Sequence, residues 1–225
     1  MKKIEYNGKK LLPPKSDIVF KGIFGMEPND LLVDFLNNTL NLDIKSKEDI
    51  LICNSDYEET DAFDLKVRTK DGLIDVEILV LNEKNVVQKP IKFYDCLDRR
   101  KVPEGAEFLD KSIKSAAVFI SDYIIKGSIF SCHSIYKLLD VESETKPMFP
   151  IDVHTIELPK FDKDCYIDKS NKWIHFLTIE NEKDLEKVKE IDPIMSSAID
   201  KLLQISDDEK IIMDYEASIK KLDSE

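Results

Sequence analysis

The run from Asp61 to Leu81, DAFDLKVRTKDGLIDVEILVL, constrains the fold more than any other stretch of the chain. Two segments of alternating character flank Asp71-Gly72, and an Asp-Gly loop supplies the positive φ angles of a type I′ hairpin turn. Side chains alternate between faces with a period of two, which places on one face the apolar side chains of Phe63, Leu65, Val67, Ile74, Val76, Ile78 and Val80. The stretch therefore predicts a β-hairpin with one core face and one charged face.

The charged face of this hairpin contains a candidate metal-binding pair. A loop at Asp71-Gly72 predicts the cross-strand pairs Arg68 with Asp75, Lys66 with Glu77, and Asp64 with Leu79. Asp64 and Glu77 then become diagonal neighbours, about 7–8 Å apart at the backbone, and their carboxylates can converge on one hard divalent cation with ligands at about 2.1 Å. The alternative is a solvated face with two ion pairs, Lys66 with Glu77 and Arg68 with Asp75.

Length and charge limit the possible functions. With 225 residues, the chain can form one main core with an appended helical segment, or two small domains, and we expect one main domain. The 33 basic and 45 acidic residues give a net charge of −12, which argues against broad attraction to a polyanion such as DNA. Basic residues are concentrated between positions 84 and 114, and acidic residues at the C-terminal end. Contact with DNA would therefore have to be local.

Several classes of site and location are not indicated. The N-terminus has no apolar signal region, and no run of 18 apolar residues occurs, so we expect a cytoplasmic protein that does not enter a membrane. The cysteines show no CxxC spacing and are predicted to be reduced thiols: Cys53, Cys96, Cys132 and Cys165. The histidines lack zinc-ligand spacing: His133, His154 and His175. For His154 we expect a strand histidine with a satisfied hydrogen bond rather than a catalytic one.

The remaining chain alternates between helical and extended patterns after a polar leader at residues 1–12. Helices are predicted after the cap Ser16, after Asn29 or Asp30, from Lys89 past Tyr94, over 172–177, from Asp192-Pro193, and after Ser206. Strands are predicted at 50–52, Ala116–Ile120, Ile129–Leu138 and Ile151–Leu158. Together these elements indicate a mixed sheet with helices on at least one side.

Six pieces of the sequence, in order, carry a resemblance to a known family. They are PPKSDIVFKGIFG, LLVDFLNNTLNL, FDLKVRTKDGLIDVEIL, HTIELPKF, KWIHFL and SDDEKIIMDYEASIKKL. With these pieces the chain resembles, over nearly its full length, the Rpn family of recombination-promoting nucleases and putative transposases in the PD-(D/E)XK superfamily. The resemblance implies an α/β, restriction-endonuclease-like mixed sheet flanked by helices in residues 1–160, and a helical C-terminal region in residues 161–225.

The resemblance also implies a site. It identifies Asp64 and Glu77 as catalytic carboxylates that bind Mg²⁺, or Mn²⁺ as a substitute. It adds Asp17 as a third carboxylate and the main-chain carbonyl of Ile78 as a further ligand. Oxygen ligands suit Mg²⁺ because it is a hard ion. The implied chemistry is hydrolysis of phosphodiester bonds, in which the metal polarises the phosphoryl group and lowers the pKa of a bound water.

One position departs from the family pattern. Leu79 stands where the family has a lysine or glutamine, and leucine can neither orient a water nor stabilise a phosphate. Lys66 is the candidate to compensate as a catalytic residue, with Lys89 and Lys92 as further candidates. Each of these lysines is equally explained as an ion-pair partner or as a side chain that extends over apolar surface into solvent.

Two functions from different classes follow. The first is a metal-dependent DNA endonuclease of the Rpn type, linked to recombination, with DNA and a second copy of the chain (a homodimer) as partners. The alternative, favoured by Leu79 and by the net charge, is a catalytically degraded relative that acts as a binding or regulatory module.

Overall fold

The computed structural model describes residues 3–25, 27–53, 63–81, 114–125, 131–137 and 151–224. Its strands are β1 (Ile4–Tyr6), β2 (Lys9–Leu11), β3 (Ile50–Cys53), β4 (Phe63–Thr69), β5 (Gly72–Leu81), β6 (Lys114–Ser121), β7 (His133–Lys137) and β8 (Ile151–Glu157). Its α-helices are α1 (Asp17–Phe24), α2 (Asp30–Leu40), α3 (Lys172–Leu177), α4 (Glu182–Lys189), α5 (Pro193–Ser206) and α6 (Glu209–Ser224). Short 3₁₀ turns cover Lys47–Asp49 and Leu158–Lys160.

The centre of the molecule is a mixed sheet of six strands in the order β3-β4-β5-β6-β8-β7. The pairs β3-β4, β4-β5 and β7-β8 are antiparallel, whereas β5-β6 and β6-β8 are parallel. Helices flank this sheet, and the chain ends in a run of four helices. This architecture confirms the predicted α/β, restriction-endonuclease-like fold with a helical C-terminal region.

A second, two-stranded sheet lies near the N-terminus, where the sequence pattern predicted only a polar leader. β1 and β2 pair around Asn7 and Gly8, whose φ angles are +48° and +76°. These are the positive φ angles of a type I′ turn, which Asn-Gly favours. The Asn-Gly signal was present in the sequence, but the flanking strands are only three residues long and give little alternation.

The central hairpin forms as predicted, but its predicted register is wrong. Thr69 pairs with Gly72, so the loop consists of Lys70 and Asp71 rather than Asp71 and Gly72. In this turn Gly72 takes a positive φ, +121°, whereas Lys70 and Asp71 do not, so the turn is not type I′. The Thr69 hydroxyl accepts a hydrogen bond from the Asp71 N–H at 3.2 Å and donates to the Gly72 carbonyl at 3.1 Å. These local bonds close the turn one residue earlier than the Asp-Gly rule predicts.

An aromatic cluster joins the sheet, the first two helices and the C-terminal helices. Phe20 and Phe24 of α1 contact Phe35 of α2, with ring centroids 5.5 and 5.1 Å apart. Trp173 of α3 contacts Phe24 at 5.3 Å and Phe35 at 5.7 Å, and Phe20 meets Phe63 of β4 at 6.4 Å. These contacts place Trp173, which is 2% exposed, in the core. Residues on both sides of position 160 thus share one core, and the division at 160/161 stays a prediction.

Helix ends follow the predicted caps closely. The Asn29 side chain accepts a bond from the Leu32 N–H, and the Asp192 side chain accepts one from Met195 at the start of α5. Ser16 precedes α1 as predicted, but its hydroxyl makes no cap bond. Helix α4 was not predicted, and the helix expected from Lys89 lies outside the described residues. None of the helices described is long and apolar enough to cross a membrane.

Candidate active site

The two carboxylates of the candidate site lie closer together in the observed strand register than in the predicted register. Asp64 on β4 lies directly opposite Glu77 on β5, whereas the predicted register made them diagonal neighbours. Directly opposed residues in antiparallel strands have Cβ atoms about 4.5–5.5 Å apart. Both side chains are half-buried, and both lie on the face opposite the Phe63 face that packs on α1. This correction strengthens the candidate metal-binding pair, because two carboxylates at this separation can share one cation.

The two cross-strand ion pairs of the alternative interpretation do not form. Lys66 lies opposite Asp75 rather than Glu77, and Arg68 lies opposite Leu73. Arg68 instead approaches Asp49, with Nη1 and Oδ1 3.8 Å apart. Among the ion pairs that the structure describes, none includes Lys66, whose side chain is exposed. The face therefore keeps an exposed lysine two residues along the strand from Asp64.

The charges of this face act on a neighbouring thiol. Cys53 of β3 lies opposite Asp64, on the side away from Glu77. Burial raises the pKa of the Cys53 thiol, the positive charge of Lys66 lowers it, and the carboxylates of Asp64 and Asp75 raise it further. The thiol therefore stays protonated near neutral pH. One sheet face thus combines a thiol, a lysine and several carboxylates.

Leu79, the position that departs from the family pattern, is only 1% exposed. It follows Glu77 on the same face of β5 and lies beside Phe119 of β6. The next residue on this face, Leu81, is also buried. The expectation of a solvated face thus holds only for the part nearer the turn. A buried leucine cannot supply the polar group that the family places at this position.

Asp17 is located at the first turn of α1, where its carboxylate lies 3.2 Å from the Lys21 ammonium. Helix α1 packs through Phe20 on Phe63, and Asp64 points to the opposite face of the same strand. The role of Asp17 as a third carboxylate stays a prediction.

Ile78 lies in the middle of β5, paired in register with Phe63 on one side and Val118 on the other. Main-chain groups at such a position normally make hydrogen bonds between strands. Its role as a carbonyl ligand also stays a prediction.

The donor set fits a hard divalent cation better than a soft one. Asp64 and Glu77 supply carboxylate oxygens, and within the described ranges no three His, Cys, Asp or Glu side chains form a cluster that could hold a metal. A cation on this pair would need water or substrate oxygens for its remaining positions. Mg²⁺ commonly binds in this way, through one or two carboxylates and several waters.

Two other polar features lie away from this pair. The imidazoles of His133 and His154 form a hydrogen bond between Nε2 and Nδ1 of 3.0 Å, which confirms the prediction of a satisfied strand histidine. A cavity of about 300 Å³ near the turn of the hairpin is lined in part by His154, Asp43, Asp71 and Asp152. His154 belongs to the face that carries Ile78, so this cavity is not the site of the carboxylate pair.

Comparison with known proteins identifies the family of the chain. A family model described as "PD-(D/E)XK nuclease family transposase" matches residues 14–225. Searches of curated proteins and of solved structures found no match. The matched range includes α1, the whole central sheet and the C-terminal helices, so the chain belongs to the PD-(D/E)XK nuclease family transposases.

Proposed function

We propose that this protein is a metal-dependent DNA endonuclease that hydrolyses phosphodiester bonds. The observation that carries the proposal is the direct pairing of Asp64 with Glu77 on adjacent strands, on a face that also carries an exposed lysine. Membership of a nuclease family makes a nucleic acid the expected substrate. The link to recombination, the homodimer and the cytoplasmic location stay predictions.

The proposed roles follow from the position and chemistry of each side chain. Asp64 and Glu77 would hold Mg²⁺, with Asp17 and the Ile78 carbonyl as the additional ligands that the family resemblance implies. Bound there, the metal would polarise the phosphoryl group and lower the pKa of a water molecule. Lys66 places a positive charge beside the pair, where it can offset the negative charge of a phosphate in place of the missing polar group at Leu79.

Attraction to DNA has to be local because the net charge of the chain is −12. Lys66 and Arg68 follow each other on the outer face of β4, and the Arg68 side chain is 73% exposed. Both cations lie on the strand of Asp64 and on its face. A phosphate backbone that approaches the carboxylate pair would therefore meet positive charge first.

The second candidate function is a catalytically degraded relative that binds DNA or regulates another nuclease. Burial of Leu79 favours this function, because an apolar side chain fills the third position of the motif. The two functions differ in one property, namely whether the native protein cleaves DNA. Both retain the same fold.

Nicking of supercoiled plasmid, with Mg²⁺ or with EDTA, distinguishes these functions. We expect Mg²⁺-dependent nicking by the native protein and a loss of at least about 100-fold in Glu77→Gln, which keeps the shape of the side chain but removes its charge. Leu79→Gln should increase the rate, because glutamine can orient a water. Glu5→Gln, a carboxylate on the separate two-stranded sheet, is the matched control and should not change the rate.

Each alternative outcome has a defined meaning. Nicking by Leu79→Gln alone would support the degraded relative. The endonuclease proposal would be overturned if neither the native protein nor any variant nicked the plasmid and if calorimetric titration of the native protein showed no heat of Mn²⁺ binding. Mn²⁺ binding that Asp64→Asn and Glu77→Gln both abolish would support the metal site independently of activity.

A further inference from the structure

Two of the three histidines of the chain meet on the central sheet, on the face opposite the carboxylate pair. His133 lies on β7, the last strand in the order of the described sheet, and His154 lies on the neighbouring strand β8. The two strands are antiparallel, and His133 is in register with Ile156, two residues beyond His154. The histidines are therefore diagonal neighbours on one face. Their facing nitrogens, Nε2 of His133 and Nδ1 of His154, are 3.0 Å apart.

The distance between these two nitrogens suits two ligands of one cation. Imidazole nitrogens bind Zn²⁺ at about 2.0–2.1 Å, so two of them in a tetrahedral arrangement lie about 3.3 Å apart. The nitrogens of His133 and His154 are 3.0 Å apart, so their separation has to grow by only about 0.3 Å. The rings have to turn about their side-chain torsions until both lone pairs point at the cation. The two strands can keep the register that they have.

Both imidazoles are held in the protonation state that binds metals. Burial lowers the pKa of His133, and burial together with the charge of His133 lowers the pKa of His154 to about 4. A histidine ligand has to be a neutral imidazole, so at neutral pH a cation does not have to displace a proton from either ring. Each ring keeps one proton, on the nitrogen that faces away from its partner. Binding therefore changes the tautomer of one ring and releases no net proton.

The surroundings of the two histidines offer space for water rather than a third protein ligand. Among the residues that the structure describes, no three His, Cys, Asp or Glu side chains cluster in a way that could hold a metal. Asp152, two residues before His154 on the same face, is already paired with the Lys137 ammonium at 3.7 Å. His154 also lines the cavity of about 300 Å³ near the hairpin turn, which has space for water. Water would therefore complete the coordination of a cation on this pair.

We infer that His133 and His154 form a second metal site, which binds a transition-metal cation such as Ni²⁺, Cu²⁺ or Zn²⁺ through Nε2 of His133 and Nδ1 of His154. Imidazole nitrogens favour these cations, whereas carboxylates and water favour Mg²⁺ and Mn²⁺. The site therefore differs in metal preference from the pair Asp64 and Glu77, and it does not rest on the proposed function. A cation bound there links β7 to β8 and stabilises the folded state, because it binds that state alone.

Calorimetric titration of the protein with Ni²⁺, without an affinity tag, tests the inference. We expect one Ni²⁺ per chain and retention of the native protein on an immobilised Ni²⁺ column. His133→Gln removes one ligand and should lower the Ni²⁺ affinity by at least about tenfold, because loss of a group that only orients a metal ligand already has an effect of this size. His175→Gln is the matched control, since His175 contacts Phe161 and Cys165 rather than another imidazole. It should bind Ni²⁺ as the native protein does.

A measurement on the native protein makes the test independent of how the variants fold. Paramagnetic Ni²⁺ should broaden the imidazole NMR signals of His133 and His154 and leave those of His175 unchanged. The inference fails if the native protein binds no Ni²⁺, if His133→Gln binds it within twofold of the native protein, or if the signals of His175 are the ones that broaden. Asp64→Asn should keep Ni²⁺ binding while it loses Mn²⁺ binding. Native protein that binds Ni²⁺ but no Mn²⁺ would therefore overturn the proposed carboxylate site and leave the histidine site standing.

Discussion

Lys172, at the start of α3, connects its helix to two others through buried ion pairs. It is 2% exposed, and its ammonium lies 2.7 Å from the carboxylate of Asp34 on α2 and 2.8 Å from that of Asp192, which caps α5. Trp173 donates its indole N–H to the same Asp34 at 2.7 Å. Lys172→Met keeps most of the side-chain volume but leaves two partly buried carboxylates without their cation. We expect a loss of about 3 kcal/mol in the free energy of unfolding, measured by urea denaturation.

Lys163 provides the control for this prediction because it also contacts two carboxylates, but at the surface. Its ammonium lies 2.8 Å from Glu180 and 3.4 Å from Asp184, and its side chain is 37% exposed. Exposed pairs contribute less than about 1 kcal/mol, so Lys163→Met should change stability by no more than that. Equal losses in the two variants would show that burial of Lys172 does not determine the effect.

At the scale of whole elements, strong local signals predicted the fold well. The amphipathic pattern and the cap at Asn29 predicted α2, and the apolar run at Ala116–Ile120 predicted β6. Weak signals were missed, as for β1 and β2, where two three-residue strands surround an Asn-Gly turn. Helix α4 has only two buried side chains, Leu185 and Val188, so its pattern is dominated by charge.

The candidate site was predicted in its residues but not in its geometry. Alternation placed Asp64 and Glu77 on one face, and the family resemblance singled them out. Their direct pairing depends on the turn, where the Thr69 side chain closes the loop one residue before the position that Asp71-Gly72 indicates. The position of β6 beside β5 could not be predicted in register from the sequence, because no local pattern gives the register of a parallel pair whose strands are separated by a long connection.

A cross-link can test the register on which the site depends. Arg68 and Leu73 are directly opposed and both exposed, so the double variant Arg68→Cys/Leu73→Cys should form a disulfide under mild oxidation. Opposed residues have Cα atoms about 4.5–5.5 Å apart, within the span of about 4.4–6.8 Å that a disulfide accepts. Mass spectrometry of tryptic peptides identifies the link.

The companion variant Arg68→Cys/Asp75→Cys represents the register that the Asp-Gly loop predicts. In the observed structure these two positions are diagonal neighbours, about 7–8 Å apart, which exceeds the usual disulfide span. It should therefore stay largely reduced under the same oxidation. Preferential cross-linking of this second pair would place Asp64 opposite Leu79 and separate it from Glu77.

For the molecule as a whole, two buried imidazoles should make stability depend on pH. Burial is the main cause that lowers the pKa of His154, in the sheet, and of His175, in the C-terminal helices, each to about 4. The nearby charges of His133 and Lys187 lower these two pKa values further. In the unfolded chain both imidazoles titrate near 6.5. As pH falls below 6.5, the unfolded state therefore binds protons that the folded state does not.

The sign of the effect follows from this difference in bound protons. Stability should fall as pH decreases from about 6.5 to about 4, by up to about 1.4 kcal/mol per pH unit for each imidazole. Urea denaturation at a series of pH values measures the slope, and His154→Gln and His175→Gln should each reduce it. Burial also lowers the pKa of His133, so part of the slope should remain when both are replaced. Carboxylates with lowered pKa values, such as that of Asp192, add their effect below pH 4. An unchanged slope in both variants between pH 6.5 and 4.5 would show that other groups bind the protons, and that neither imidazole is kept neutral by the fold.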